Sequence, residues 1–119
     1  MPAIKRNIVI EQGADFILPL QLYADAAKTQ LRDLTGYTAK MQIKRAYDSA
    51  TAIFDKSTSD PEITIDIATA VVQIQIPGDQ TAAMPANFQG EWDIVLFGPT
   101  SSKERLMMGA CGVSPGITK

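Results

Sequence analysis

The feature that most constrains this chain is an alternation of apolar and polar residues that recurs in short segments along its length. The clearest case runs from Thr38 to Arg45. There the apolar residues are Ala39, Met41 and Ile43, and lysine and glutamine lie between them. A period of two places neighbouring side chains on opposite faces of a β-strand, so one face is buried and the other meets water. Because one wet face is common in antiparallel sheets, the pattern predicts an antiparallel β protein.

Further segments repeat this pattern and are separated by turn residues. The predicted strands run 4–11, 16–23, 38–45, 62–66, 70–76, 89–97 and 104–113. Residues 50–55 fit either a short strand or one helical turn, and residues 79–84 fit a single helical turn capped by Asp79. Short strands with turn signals about every ten residues are typical of a sandwich. We therefore predict an all-β fold of roughly seven to nine strands with at most one short helical turn.

Within these strands the alternation also predicts which side chains face the core. The predicted core sets are Ile4, Ile8 and Ile10; Phe16, Leu18, Leu20 and Leu22; Ile63 and Ile65; Val72, Ile74 and Ile76; and Trp92, Ile94 and Leu96. Pro19 has no backbone N–H to donate, which favours a sheet edge or a bulge at its position. The segments 24–30 and 46–49 are predicted loops, and 67–69 and 98–102 are predicted hairpin connections.

Length and composition indicate one globular domain. The chain has 119 residues, 45% of them hydrophobic and 20% charged, which is ordinary globular usage. We assign residues 1–113 to a single sandwich domain and 114–119 to a C-terminal tail that we expect to be mobile unless a partner holds it. No apolar h-region follows the N-terminus and no apolar run approaches the length of a membrane span, so we expect synthesis in a cytoplasm and no membrane partner. With a net charge of −2 there is no basic field to attract nucleic acid.

The inventory of reactive side chains predicts a protein that is not an enzyme and holds no cofactor or metal. The chain has no histidine, which removes the commonest general base and the commonest zinc ligand. Its single cysteine, Cys111, has no cationic neighbour in sequence and is expected to be a buried apolar filler. The glycines are scattered singly and form no phosphate-binding loop. No catalytic, cofactor-binding or metal-binding residue is therefore predicted.

Two clusters of charged residues are candidate binding sites. The densest acidic cluster comprises Asp55, Asp60, Glu62 and Asp66, but its spacing does not match a calcium loop, and most of its members flank turns, where Asp caps backbone N–H groups. The basic residues Lys40, Lys44 and Arg45, joined by Lys5 and Arg6, fit either a cationic patch or a solvated sheet face. We favour the solvated face, since lysines on a half-buried strand also discourage aggregation.

The aromatic and methionine residues leave two further possibilities. Trp92 belongs to the core-facing set of its strand, so a packing role is favoured over stacking on a sugar together with Tyr23, Tyr37 or Tyr47. Of the adjacent pair Met107 and Met108, at least one must point outward, which hints at a contact surface.

The order of the segments resembles that of small virion proteins of tailed bacteriophages. The most characteristic element is "DLTGYT", Asp33 to Thr38, which follows a polar hairpin and leads into the strand of alternating charge. It is similar to the N-terminal, tail-attaching domain of phage baseplate upper proteins. The resemblance implies an immunoglobulin-like antiparallel β-sandwich that docks in many copies and catalyses nothing. The hairpin at 24–30 departs from the family, because it is longer and lacks glycine.

This resemblance implies a structural or adaptor protein of the baseplate, tail or fibre-attachment region, made in the bacterial cytoplasm and carried in the virion. The expected partners are other virion proteins, with self-association in a symmetric ring as a further possibility and no small-molecule substrate. Two alternatives stay open. One is a decoration protein on the capsid, and the other is a carbohydrate-binding β-sandwich module.

Overall fold

Nine strands and one short helix make up the part of the chain described by the structure, a computed structural model that covers residues 4–25, 27–46 and 51–117. In chain order the elements are β1 Ile4–Lys5, β2 Ile8–Glu11, β3 Phe16–Gln21, β4 Thr38–Lys44, β5 Phe54–Ser57, β6 Ile63–Asp66, β7 Val71–Ile76, α1 Gly78–Ala82, β8 Gln89–Phe97 and β9 Lys103–Ser114. The predictions of an all-β fold and of its strand number are confirmed.

The strands form two sheets packed as an immunoglobulin-like sandwich. The larger sheet has six strands in the order β1-β9-β8-β4-β5, with β2 also paired to β9, and the smaller has the order β3-β7-β6. Strands β1 and β2 run parallel to β9, with Ile8 opposite Cys111 and Glu11 opposite Ser114. The expectation of purely antiparallel pairing is wrong for these two strands. No hairpin joins them to β9, because the chain passes from β2 directly into the other sheet.

The core lies between the sheets and consists of the side chains that the alternation selects. Met41, Ile43, Ile74, Ile76 and Ile94 are fully buried. Burying an aliphatic side chain of this size contributes about 1.5–3 kcal/mol, from which the conformational entropy lost on folding must be subtracted. In the other predicted sets Phe16, Leu22 and Ile65 are half-buried.

The expectation that Ile4 faces the core with Ile8 and Ile10 is wrong, since Ile4 is 62% exposed. The predicted single strand 4–11 is broken at Arg6 and Asn7. At this break the Arg6 N–H donates to the carbonyl of Met108, and Asn7 Oδ1 accepts from the amide of Ala110. The sequence periodicity therefore does not continue from β1 into β2.

Several boundaries differ from the predicted ones. The open choice at 50–55 resolves as strand, but β5 begins only at Phe54 and continues to Ser57, two residues beyond the predicted segment. Residues 47–50, which include most of the predicted loop at 46–49, lie outside the described residues. The helical turn predicted at 79–84 is present as α1, which spans five residues. No helix among the described residues has the length and apolarity needed to cross a membrane.

The edge position predicted for Pro19 is confirmed, because β3 is an outer strand of the three-stranded sheet. At the other end of the chain β9 runs to Ser114, one residue beyond the boundary predicted for the domain. The backbone N–H of Gly116 then donates to Gln12 Oε1 at 3.2 Å. The beginning of the predicted tail is therefore tied to the turn that follows β2.

Candidate functional site

The outward side of the six-stranded sheet carries a regular array of polar side chains, which we call the charged face. It consists of Asp55 on β5, Lys40, Gln42 and Lys44 on β4, Glu91 and Asp93 on β8, and Arg105 and Met108 on β9. These side chains point outward because their strand neighbours, such as Ile43 and Trp92, point into the core. A rigid two-layer scaffold thus fixes the positions of the charges.

Strand register brings these residues into rows across the sheet. In one row Gln42 lies between Asp55 on β5 and Asp93 on β8, and in the next row Lys44 is opposite Glu91. A β-bulge shifts the pairing of β8 with β9 after Ile94, so that Asp93 faces Met108 while Val95 faces Arg105. The extra residue, Leu106, is taken up in the bulge, which leaves both Arg105 and Met108 on the outward side.

Two ion pairs link neighbouring strands of the charged face. Lys40 Nζ lies 3.5 Å from Asp55 Oδ1, and Arg105 Nε lies 3.1 Å from Asp93 Oδ2. All four side chains are exposed by about a third or more, so each pair is worth only about 0.2–1 kcal/mol.

Lys44 and Glu91 differ from these pairs. They are cross-strand neighbours, but among the described residues no hydrogen bond or ion pair joins the two side chains. Around them is a shallow groove of about 280 Å³, lined also by Gln42, Asp93 and Arg105, with Met108 as its exposed apolar side chain. The groove thus combines two opposite charges, neither of which forms an ion pair within the described ranges, with an apolar contact, and this combination suits a protein partner.

The five basic residues weighed as a patch do not come together. Lys40 is paired with Asp55, and the Arg45 guanidinium lies 5.2 Å from the centre of the Phe88 ring. Lys5 lies on β1, three inter-strand spacings from β4, or about 14 Å away. Acidic residues of β8 lie between these strands, so the face carries both signs of charge.

The main aromatic candidate for stacking on a sugar, Trp92, is packed in the core. Trp92 is 2% exposed, and its Nε1 donates to the carbonyl oxygen of Arg6 at 2.8 Å. Tyr37 lies under the Arg32 guanidinium, 5.5 Å from the ring centre, and Tyr23 is 37% exposed beside its bridge partner Leu31. Tyr47 lies outside the described residues. The expected core role of Trp92 is confirmed.

A partly buried ion pair between Arg32 and Glu104 connects two loops at one end of the sandwich. Arg32 donates from both terminal nitrogens to the Glu104 carboxylate, at 3.0 and 2.9 Å, and the two side chains are 25% and 32% exposed. This contact lowers the pKa of Glu104 and raises the pKa of Arg32. It ties the loop before β4 to the start of β9.

The "DLTGYT" element is a turn whose residues determine its shape. Asp33 Oδ1 accepts from the backbone N–H and the hydroxyl of Thr35, at 3.0 and 2.7 Å, and these bonds lower the pKa of Asp33. Gly36 has φ +79°, and a Cβ there would lie 3.3 Å from Pro99. Leu34 is fully buried. Each residue type thus serves the turn's conformation or its packing.

The segment between Ala24 and Gln30 is closed by one carboxylate. Asp25 Oδ1 accepts from the backbone N–H groups of Thr29 and Gln30, at 3.0 and 3.1 Å, and Oδ2 accepts from the Thr29 hydroxyl. These bonds lower the pKa of Asp25. Lys28 takes the left-handed conformation, with φ 60°, that a glycine would adopt at less cost.

The acidic cluster is dispersed by the fold. As predicted, Asp60 and Asp66 accept from backbone N–H groups in turns, those of Ser57 at 3.0 Å and Ala68 at 3.1 Å. Within the described ranges, no three acidic or cysteine side chains are grouped so that they could hold a metal ion.

Glu62, the remaining member of this cluster, is buried, which the sequence did not predict. It is 4% exposed, and its Oε2 accepts from Gln80 Nε2 at 2.7 Å. Its other oxygen, Oε1, has no hydrogen-bond partner among the residues that the structure describes.

Cys111 is 1% exposed and lies between Ile8 of β2 and Gly90 of β8. Burial raises the pKa of its thiol to about 11. The predicted role as core filler is confirmed. Met108 is the outward member of the methionine pair, while Met107 packs against the core.

The acidic half of the charged face, Glu91 and Asp93, was not predicted as a site. Glu91 and Asp93 alternate with Trp92 and Ile94, so the period of two already placed them outward beside each other. Arg105 could not be placed this way, because the bulge at Leu106 breaks the alternation of β9.

Comparison with known proteins gives the fold and nothing more specific. No family model matches the sequence, and no curated protein matches it. The NK cell receptor NKp44, a triggering partner in natural cytotoxicity, has a similar structure with a TM-score of 0.55 at 10% identity, over 96% of this chain and 100% of that chain. The extracellular domain of the voltage-gated sodium channel β4 subunit, described as a parallel homodimer with a role in cell–cell adhesion, has a TM-score of 0.54 at 11% identity, over 98% and 97%. At such low identity the likeness supports an immunoglobulin-like sandwich alone.

Proposed function

We propose that this chain is a non-enzymatic docking protein of a tailed-phage virion, attached at the baseplate or tail. The observation that carries docking is the charged face. It presents ordered charges of both signs and an exposed methionine on a sheet, and in the part of the chain that the structure describes no ion pair engages Lys44 or Glu91.

The positions of the most reactive side chains support a non-enzymatic role. The only thiol in the chain is buried and has a raised pKa, so it is a poor nucleophile near neutral pH. The only indole is buried too, which leaves the carbohydrate-binding alternative without its principal stacking platform.

The proposed location in the virion is based on the sequence resemblance centred on Asp33 to Thr38. The structure is compatible with it, because this element forms the turn that orders one end of the sandwich. Neither of the two structural neighbours is a virion protein, so they support the immunoglobulin-like sandwich but not the location in a virion.

The test is to locate the chain in particles of the phage that encodes it. Mass spectrometry of gradient-purified particles should find the chain in a fixed ratio to the major tail proteins. Cryo-EM should then show a two-sheet sandwich of this size at the baseplate or tail. Particles made with the chain deleted are the matched control and should lose that density alone.

Three results would overturn the proposal in whole or in part. Density over the capsid would replace the tail address with the decoration role. Absence of the chain from purified particles would remove the virion role. Hydrolysis or group transfer by the purified chain, lost in a matched single-residue variant, would contradict the non-enzymatic role.

A further inference from the structure

The charges of the charged face alternate in sign from strand to strand. Across the sheet β5 contributes a negative column with Asp55, and β4 contributes a positive one with Lys40 and Lys44. Strand β8 contributes a negative column with Glu91 and Asp93, and β9 a positive one with Arg105. The order is therefore negative, positive, negative, positive. Reversing this order left to right exchanges every negative column with a positive one.

We propose that two copies of this chain pack face to face through the charged face, about a twofold axis that runs along the strands midway between β4 and β8. Such an axis performs the reversal just described, because it lays β4 of one copy on β8 of the other and β5 on β9. The inference goes beyond the proposed function, since it names a second copy as the partner and concerns the purified chain in solution.

Register decides which side chains would meet. A rotation about this axis keeps each residue at its height along the strands, so residues in the same row face each other. Lys44 and Glu91 share a row, and therefore Lys44 meets the partner's Glu91 while Glu91 meets the partner's Lys44. Gln42 likewise meets the partner's Asp93. Because the interface is isologous, each of these contacts occurs twice.

Strand β5 of one copy and strand β9 of the other also carry opposite charges where they meet. Asp55 is in the row of Gln42, Asp93 and Met108, so it faces the partner's Met108. The Arg105 side chain reaches this row, because its Nε bonds to Asp93. A carboxylate of one copy thus meets a guanidinium of the other next to an apolar contact. No like charges oppose each other in these rows.

Cross-strand contacts within one chain bring only some of these charges into ion pairs. They account for Lys40 with Asp55 and for Arg105 with Asp93, which form ion pairs. Strand register also places Lys44 opposite Glu91, but among the described residues no hydrogen bond or ion pair engages the charged end of either side chain. A second copy would compensate both and would cover the exposed Met108.

The test uses charge reversal in the full-length chain and measures dimerisation by analytical ultracentrifugation. Wild-type protein should dimerise, with a dissociation constant that rises with salt. Lys44→Glu and Glu91→Lys should each weaken the homodimer by at least about tenfold, because each variant opposes like charges at two symmetric contacts. An equimolar mixture of the two variants should form a heterodimer, because every opposed pair is then attractive. The double variant K44E/E91K should recover the homodimer for the same reason.

The matched control is Lys28→Glu, which makes the same charge change on the hairpin away from the charged face and should leave dimerisation unchanged. Circular dichroism should show that all variants are folded, since Lys44 and Glu91 lie outside the core. A monomeric wild type would overturn this inference, and so would a dimer that single reversals leave intact or that mixing fails to restore. Such results would leave the virion proposal standing, since localisation in the particle tests it separately.

Discussion

The indole Nε1 of Trp92 donates a hydrogen bond to the carbonyl oxygen of Arg6 at 2.8 Å, and so connects a central strand to the break between β1 and β2. Gly109 of β9 lies opposite Trp92. A Cβ on Gly109 would lie 2.0 Å from the same carbonyl oxygen. The first strands can therefore approach the sheet only because position 109 has no side chain.

Replacing Gly109 by alanine should destabilise the fold by about 2 kcal/mol or more, because the backbone at Arg6 must move and its bond to Trp92 is strained. Urea denaturation followed by Trp92 fluorescence measures this change. Gly112→Ala is the matched control in the same strand, since the nearest atom to its Cβ would be the Phe88 carbonyl oxygen at 3.8 Å. Equal losses in the two variants would contradict the explanation.

Removing the Arg32–Glu104 pair should make the free energy of unfolding less dependent on pH in the acidic range. Arg32 holds the pKa of Glu104 below its ordinary value of 4.5, so the pair's contribution is present at neutral pH and is lost as the pH falls through the lowered pKa. Glu104→Gln should therefore cost about 1 kcal/mol at pH 7 and progressively less below pH 4.

A double-mutant cycle with Arg32→Met, measured by urea denaturation at pH 7 and at pH 3, isolates this coupling. The coupling should be favourable at pH 7 and smaller at pH 3. A coupling that grows on acidification would contradict the assigned direction of the pKa change.

Lys28→Gly should stabilise the protein by roughly 0.5–1 kcal/mol, because a glycine removes the steric cost of the left-handed conformation at this position. Lys28→Ala keeps a Cβ and is the control, for which we expect no gain. Thermal unfolding of the three proteins compares them directly. A gain from alanine equal to that from glycine would assign the effect to loss of the lysine side chain.

Gln80→Leu should destabilise the fold by about 1–3 kcal/mol, because it removes the hydrogen bond to the buried Glu62 carboxylate. The double variant Q80L/E62L should recover most of this loss, since it removes both polar partners together. Urea denaturation of the two variants and the wild type measures the difference. A double variant less stable than Gln80→Leu would show that Glu62 contributes in another way.

The sequence predicted the sandwich because the period of two directly records which side chains are buried, as at Met41, Ile43 and Ile94. The sequence pattern failed where the pairing of strands, and not the period of two, determines whether a side chain is exposed. Ile4 continues the pattern of Ile8 and Ile10, but a strand break separates them. Arg105 reaches the charged face only through a bulge, which no feature of the local sequence signals.

The candidate site was harder to predict than the fold, because it depends on which strands become neighbours. Lys44 and Glu91 are far apart in sequence, and their opposition follows from the pairing of β4 with β8. Glu62 belongs to an acidic cluster in the sequence, and only tertiary packing shows that it is buried.

The position of β9 between β8 and the two N-terminal strands has a consequence for biosynthesis. Within this domain β1 and β2 are made before the other strands, but among the described residues their sheet partner is β9, the last strand of the domain. Until β9 emerges, β8 has a bare edge and β1 and β2 have no strand to pair with, so the large sheet cannot close before β9 has been made. We expect this domain to remain incompletely folded in the nascent chain, and to need protection from aggregation, until β9 has been synthesised.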